Sequence, residues 1–402
     1  MKFGIFLPPF HPPGQDPAMA YERDLELIEW LDQLGYDEAF IGEHHSAGWE
    51  IIPSPDIFIA AAAQRTRRIM LGAGVVSVPY HHPFHIANRY AMLDQITRGR
   101  VILGCGPGAL PGDAYMLGLD PATQRKKMIE GVKAIRRLFT EEGGVTIEGS
   151  WFTLNDAHLQ VKPFQKPYMP MYVASLFSPS GMMAAGELGV GLLTLLGFVR
   201  GFGELRDRWA IVEETAAEFG NTVDRANWRL ALPFHLADSR KEALNDVRDV
   251  GNTLLETYFA VPTRQATPGQ PGAIDAMPIE QLAAEGGVIL GTPDDAIAKI
   301  RELQAASGGF GGYLNMAVDW ATREKTRRSY ELFARYVAPV FTENLGSIPY
   351  SWRWTVERRE KLGARGSIGV KLATQEYLDK KSAKEHADGA GTYERDSKVK
   401  EV

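Results

Sequence analysis

Tyr36-Asp37-Glu38-Ala39-Phe40-Ile41-Gly42-Glu43-His44-His45 is the stretch on which the fold turns. Ala39-Phe40-Ile41 is a short apolar run after a helical pattern that stops at Gly35, and it predicts a buried strand. The strand delivers an acid and two adjacent histidines. Titratable groups at the C-terminal end of a parallel strand stand where α/β barrels place their chemistry. The stretch therefore poses a choice. It is a catalytic rim if strand and helix alternate along the rest of the chain, and a polar turn if they do not.

Working outward, the alternation is there. Toward the N-terminus, residues 3–7 form an apolar run stopped by Pro8-Pro9, a first strand. A helix over 19–34 carries Leu25, Ile28, Leu31 and Leu34 at helical spacing, with Gly35 as its stop. Toward the C-terminus the pattern predicts a helix over 55–66, a strand over 69–78, a helix over 84–97, a strand over 101–103 and a helix over 124–139. Residues 143–170 read as an excursion with short β pieces. Strands follow at 171–174 (with a Ser/Pro-rich turn after it), 190–196, 228–236 and 313–318. Helices are predicted at 205–219, 241–258, 293–306 and 327–337, and Thr292-Pro293 has the chemistry of a helix start. The Pro/Gly-rich loop at 261–278 is long for a compact domain and suggests a lid. Eight strands alternating with helices predict an α/β fold, a (β/α)8 TIM barrel over 1–340 with insertions at about 143–170 and 259–285. A C-terminal extension spans 341–402. Its Ser351-Trp352-Arg353-Trp354 segment is aromatic, and beyond Lys380 it is polar and expected to be loosely ordered.

Composition narrows the functional classes. The chain has 402 residues, 45% of them hydrophobic and 23% charged, which suits a water-soluble globular protein. A net charge of −6 argues against general nucleic-acid affinity. The single cysteine, Cys105, permits no internal disulfide and fits a reducing compartment. No apolar run is long enough to span a bilayer, and Pro8-Pro9 interrupts the N-terminal apolar run too early for a signal-peptide core. A cytoplasmic protein without membrane or nucleic-acid partners is expected.

Glu43-His44-His45 supplies an acid/base set, because histidine titrates near neutrality and a carboxylate can orient it. His81 and His82, with His85 three residues on, have some metal-site character, but the flanking prolines stiffen the backbone, and pocket lining or backbone bonding is the better reading. Gly104-Cys105-Gly106-Pro107-Gly108 follows a strand without matching a dinucleotide fingerprint. Its glycines permit close approach of a flat ligand. Cys105 reads as buried packing, not as a nucleophile. Arg125, at a helix start, is a phosphate ligand or a solvated arginine. Ser175, Ser178 and Ser180 offer hydroxyls and helix N–H groups to an anion.

Together, Leu71-Gly72-Ala73-Gly74-Val75-Val76-Ser77-Val78-Pro79, His82-Pro83, Leu93-Asp94-Gln95, Gly99-Arg100 and Gly104-Cys105-Gly106 resemble the bacterial luciferase-like flavin monooxygenases. Lys2 to Leu7, Glu43-His44-His45 and Gly291-Thr292-Pro293-Asp294 match the same family in the same order. Gly42 to Glu50 and Pro79 to Pro83 look most like its limonene 1,2-monooxygenase branch.

The resemblance implies reduced flavin at the C-terminal ends of the strands. It makes Gly74-Val75 a strand bulge with a cis peptide under the ring, and Arg125 a ligand of the flavin phosphate. Ser175, Leu176 and Ser178 would lie in the partner turn. His44 would be the catalytic histidine, with His45 beside it and Glu43 or His45 orienting it. Gly106 stands where luciferases carry a cysteine, and Pro107 where they carry an arginine, so light emission is not implied and FMN or FAD stays open. The implied activity is that of a two-component monooxygenase. A separate flavin reductase supplies the reduced flavin, and O2 reacts through a peroxyflavin to oxygenate a hydrophobic, terpene-like molecule. Phe6, Phe10, Trp49, Tyr80, Phe177, Leu195 and Phe198 would line the substrate pocket, and a homodimer is the family's habit. A deazaflavin-dependent oxidoreductase and a non-catalytic flavin-binding protein are the alternatives on this fold.

Overall fold

Eight parallel strands carry the frame: β1 (Lys2–Phe10), β2 (Glu38–Ile41), β3 (Met70–Ala73), β4 (Val101–Gly106), β5 (Met171–Ser175), β6 (Gly191–Leu195), β7 (Trp228–Ala231) and β8 (Gly312–Val318). Each pairs with its neighbours in sequence, β8 pairs with β1, and β3 with β4, so the sheet closes into a barrel with helices outside. The structure, a computed structural model, describes residues 1–176, 178–198, 205–259 and 277–396, with side chains through residue 387. The chain forms two compact units, Met1–Thr342 and Glu343–Val402. No helix among the described residues is long and apolar enough to cross a membrane.

The periodic segments form as their sequence requires. The first helix spans Pro17–Leu34, with Asp16 capping its start and Gly35 closing it in the left-handed conformation. Differences arise where tertiary contacts override local signals. β1 runs through Pro8-Pro9 to Phe10, because its register with β8 shifts between Phe6 and Phe10, relieving the prolines of ladder bonds. The expected strand 69–78 breaks after Ala73, and Val76–Ser77 resumes pairing with β4. The expected strand 228–236 ends at Ala231. After Pro233, Phe234–Leu236 pairs instead with Ile289–Gly291.

Helices beyond those the sequence pattern predicts include Pro111–Met116 and the body of Pro179–Leu188. The second begins in the expected Ser/Pro-rich turn. Its glycines look like helix breakers, yet a Cβ on Gly181 would lie 2.7 Å from Ala174 O, and one on Gly186 would lie 2.6 Å from Val212 O. Glycine there permits close packing against β5 and the helix Leu205–Glu218. In the C-terminal unit, the segment beyond Lys380 continues a helix, Arg359–Asp396. It holds no proline, and its lysine, glutamate and alanine residues are good helix formers. Of the expected lid, 260–276 lies outside the described residues, and Ile279–Ala284 is helical.

Inside the barrel, Phe40, Ile102, Tyr172, Leu193 and Leu314 pack as one buried cluster. An ion pair sits near the N-terminal ends of the strands. Arg229 Nε and Nη2 donate to Glu38 Oε2 and Oε1 at 2.6 and 2.8 Å, and both side chains are 1% exposed. The guanidinium lies 5.3 Å from the Tyr172 ring centre, and Lys2 reaches Glu38 from the surface at 3.1 Å. Burial alone would raise the Glu38 pKa, but Arg229 outweighs it and holds the carboxyl below its usual range.

Candidate active site

β2 ends at Ile41, and the Gly42 N–H still donates to Leu7 O at 2.9 Å. The next residue, Glu43, is a buried hub. Its Oε2 accepts the Ser77 N–H at 2.7 Å, and its Oε1 accepts His81 Nε2 at 2.7 Å and His45 Nε2 at 3.0 Å. Burial opposes charge on Glu43, but the bonds from His45 and His81 overcome it and lower the pKa. The same bond to Glu43 raises the His45 pKa. Glu43 thus ties the loop after β2 to the broken third strand and fixes two histidine rings.

His44 faces a different set of acids. Its Nδ1 lies 3.0 Å from Asp113 Oδ2, and its Nε2 lies 3.3 Å from Glu50 Oε2. The expected orienting groups, Glu43 or His45, do not bond this ring. Asp113 holds it, and also accepts the His45 N–H at 3.2 Å and the Ser46 hydroxyl at 2.5 Å. Glu50 is buried, and its Oε2 accepts the Tyr258 hydroxyl. Burial pushes Glu50 up to about 7 although His44 and Tyr258 pull it down. For His44, burial works against the proton, yet Glu50 and Asp113 outweigh it and raise the pKa. Asp113 feels burial too, but His44 and Ser46 keep its pKa low.

Asp113, Glu50 and Tyr258 escaped the sequence reading. The available signal was weak. Asp113 follows a Gly/Pro-rich loop after β4, and Glu50 closes the same motif that carries the histidines.

The candidate flavin-binding residues lie around β3 to β5. The peptide Gly74–Val75 is cis, at the break in the third strand. A Cβ on Gly106 would lie 2.3 Å from Val75 Cγ2, so the Val75 side chain takes the space a side chain at 106 would need. Ser175 Oγ is buried and has no hydrogen-bond partner among the described residues. Ser175 abuts Gly181 in the first turn of the helix Pro179–Leu188, whose cap residue, Ser178, makes no side-chain cap bond. Arg125 Nη2 donates to Ser178 Oγ at 3.2 Å, and Ser178 and Ser180 hydroxyls are 2.7 Å apart. An orphaned hydroxyl, a guanidinium and a helix N-terminus fit a phosphate. Arg208, also missed from sequence, donates to Leu176 O at 3.0 Å from the next helix.

Of the expected pocket residues, Phe10, Trp49 and Phe198 come together, joined by Tyr258. Ring centres are 5.0 Å apart for Phe10–Tyr258, 6.3 Å for Phe10–Phe198 and 6.4 Å for Trp49–Tyr258. All three expected residues are buried and belong to one aromatic cluster. Tyr80 stands apart, 5.8 Å from the His45 ring, with Gln124 at 3.4 Å from its hydroxyl. Phe177 lies outside the described residues. Cys105 is buried, and burial pushes its thiol up to about 12, which makes it a poor nucleophile. His82 accepts the Phe84 N–H at a helix start, and His81 belongs to Glu43.

A closed parallel barrel with a histidine–carboxylate centre after β2 defines a class of enzymes, and comparison with known proteins identifies the family. Residues 1–309 match the luciferase-like monooxygenase family, and the chain belongs to it. It is 45% identical to 4-hydroxyprotoasukamycin monooxygenase of Streptomyces nodosus subsp. asukaensis, over 91% of this chain and 99% of that one. It is 42% identical to limonene 1,2-monooxygenase of Rhodococcus erythropolis, over 96% and 97% respectively. Among solved structures, the oxygenating constituent of 3,6-diketocamphane monooxygenase from Pseudomonas putida, a type II Baeyer-Villiger enzyme in complex with FMN, superposes with a TM-score of 0.75. It shares 27% identity, over 84% of this chain and 98% of that one. The chain is a luciferase-like monooxygenase.

Proposed function

We propose that this chain is the oxygenase component of a two-component system, using reduced FMN from a separate flavin reductase, and O2, to oxygenate a hydrophobic, terpene-like molecule. The observation that carries the cofactor reading is the buried Ser175 hydroxyl, left without a partner among the described residues beside Arg125 and Ser178. A flavin phosphate would complete that set, held by the Arg125 guanidinium, the two serine hydroxyls and the N–H groups of the helix Pro179–Leu188. Reduced flavin, when bound, supplies the electrons that activate O2 for transfer of one oxygen atom.

The protein's own contribution is position, dryness and protons. His44 is the proton-handling residue, since it is partly exposed while its carboxylate neighbours are buried. Asp113 fixes its Nδ1 side, and Glu43 fixes His45 and His81. The aromatic side chains Phe10, Trp49 and Phe198 form an apolar wall, and Tyr80 stands beside His45. Such a wall favours an apolar substrate and keeps water from the reacting centre. The reading includes a cytoplasmic homodimer.

The test is product analysis by mass spectrometry after incubation with reduced FMN, isotopically heavy O2 and a panel of terpenes, ketones and alkanes. One heavy oxygen atom in an apolar product is expected. His44→Ala should lower turnover by about 10²–10⁴-fold. An enzyme that takes up no O2 but reduces an oxidised deazaflavin with its substrate, or is turned over by a reduced one, is a dehydrogenase or a reductase on the same fold. Unchanged product formation by His44→Ala removes the proton role.

A further inference from the structure

We propose that Glu50, a buried carboxyl held by Tyr258, is the positioning residue of the histidine centre and shares one titrating proton with His44. The proposal rests on the reading of His44 as the proton-handling group.

Asp113 takes the Nδ1 side of His44, so Nδ1 carries hydrogen and Nε2 is the nitrogen whose protonation can change. The group facing Nε2 is Glu50, at 3.3 Å. Its carboxyl is 4% exposed, whereas the His44 side chain is 17% exposed. Glu50 is therefore shielded behind the ring that opens to the outside. The titratable groups around the pair are Asp113, Tyr258, His45 and, at longer range, Glu43; the bond to Glu43 raises the His45 pKa. Asp113 and Glu43 have lowered pKa values and stay ionised at neutral pH, while burial and Glu50 push the Tyr258 phenol far above its ordinary value, leaving it a donor. Within this set His44 and Glu50 are the two groups in contact whose pKa values are both raised, that of Glu50 to about 7. Two such groups in contact titrate as one unit.

The step itself is a proton shift. The Glu50 Oε2–H bond breaks as the His44 Nε2–H bond forms. The new carboxylate keeps the Tyr258 hydroxyl, and the imidazolium keeps Asp113. No electron pair leaves the pair and no co-reactant is needed. At the centre this gives His44 a reserve proton that bulk water does not have to supply.

The decisive experiment is a pH titration of the His44 ring by NMR in isotope-labelled, cofactor-free protein, with His44→Asn to assign the signal. Wild type should show a step near neutral pH in addition to the ring's own titration. In Glu50→Gln that step should vanish, and the ring midpoint should fall by about one pH unit or more, since an opposite charge at this distance is gone. In Tyr258→Phe the neutral step should move up, because the lost hydroxyl favoured the ionised Glu50. With substrate, the pH profile of kcat should move with the NMR midpoint while KM holds. A His44 curve in Glu50→Gln that superimposes on wild type overturns the proposal. If that variant does not fold, an unmoved step in Tyr258→Phe overturns it. Failure here leaves the oxygenase reading standing, whereas full turnover by His44→Ala removes that reading of His44 and leaves the shared titration intact.

Discussion

The two ends of the barrel hold buried charges of different kinds. At the N-terminal end, one guanidinium meets one carboxylate through two short bonds, Arg229 to Glu38. Arginine does not lose its proton in the physiological range, so this pair has one state. At the C-terminal end, Glu43, Glu50 and Asp113 meet His44, His45 and His81, and the charge of that set depends on how many protons it holds. The first arrangement suits a fixed frame and the second suits proton traffic. The difference separates two roles that burial alone would not distinguish, since Glu38 and Glu43 are about equally hidden.

Breaking the fixed end should give the largest effect. Arg229→Met leaves Glu38 buried with only Lys2 near it, and should lower unfolding free energy by about 3–5 kcal/mol in urea titration. Turnover of the folded fraction should be unchanged. If turnover collapses while stability holds, the division of roles between the ends is wrong.

His11 lies near the rim yet is held like the floor. Its Nε2 is 2.9 Å from Asp24 and its Nδ1 is 3.2 Å from Asp319, joining the ends of β1 and β8 to the first helix. Burial disfavours its charge, but the two aspartates raise its pKa to about 9. The folded value lies above the unfolded one. The stabilisation is therefore complete below about pH 6.5 and is lost as pH rises through about 9. Relative to His11→Gln, wild type should be more stable by about 3 kcal/mol at about pH 6, with the gap closing by about pH 10. A gap that grows with pH contradicts the assignment. The floor behaves oppositely. The Glu38 pKa is lowered, so its contribution is present at neutral pH and is lost only in acid, below the ordinary carboxylate value.

Smaller effects belong to the flavin side. Gly106→Cys places a side chain where Val75 already sits, and should cost about 1–3 kcal/mol of stability in thermal or urea unfolding. A neutral result means that Val75 moves aside freely. Arg125→Ala should weaken FMN binding by about tenfold in a fluorescence titration, the worth of one charge-assisted bond, with no measurable change in stability. Equal binding removes Arg125 from the phosphate site.

Local pattern carried the architecture a long way. The spacing of Leu25, Ile28 and Leu31, the stop at Gly35 and the apolar run after it locate a helix and a strand by short-range physics, and the same logic repeats around the barrel. It failed at Pro179–Leu188, where glycines that discourage an isolated helix are tolerated because neighbouring elements approach closely. At residues 69–78 periodicity alone predicts one strand, whereas the strand breaks at the Gly74–Val75 cis peptide that the family resemblance implies.

The histidine pair itself was legible in the sequence, because an acid and two histidines immediately after a strand are local facts. Their partners were not. Asp113 lies 69 positions from His44, and Tyr258 lies 208 positions from Glu50. Nothing in the order of residues says that Glu43 belongs to His45 and His81 and not to the histidine next to it. Closure of the barrel brings those groups within hydrogen-bond distance and removes the water that would otherwise make their charges independent. Residue order settles which side-chain types stand on the rim. Folding sets which of them meet as hydrogen-bond partners, because pairing and burial are properties of the folded arrangement.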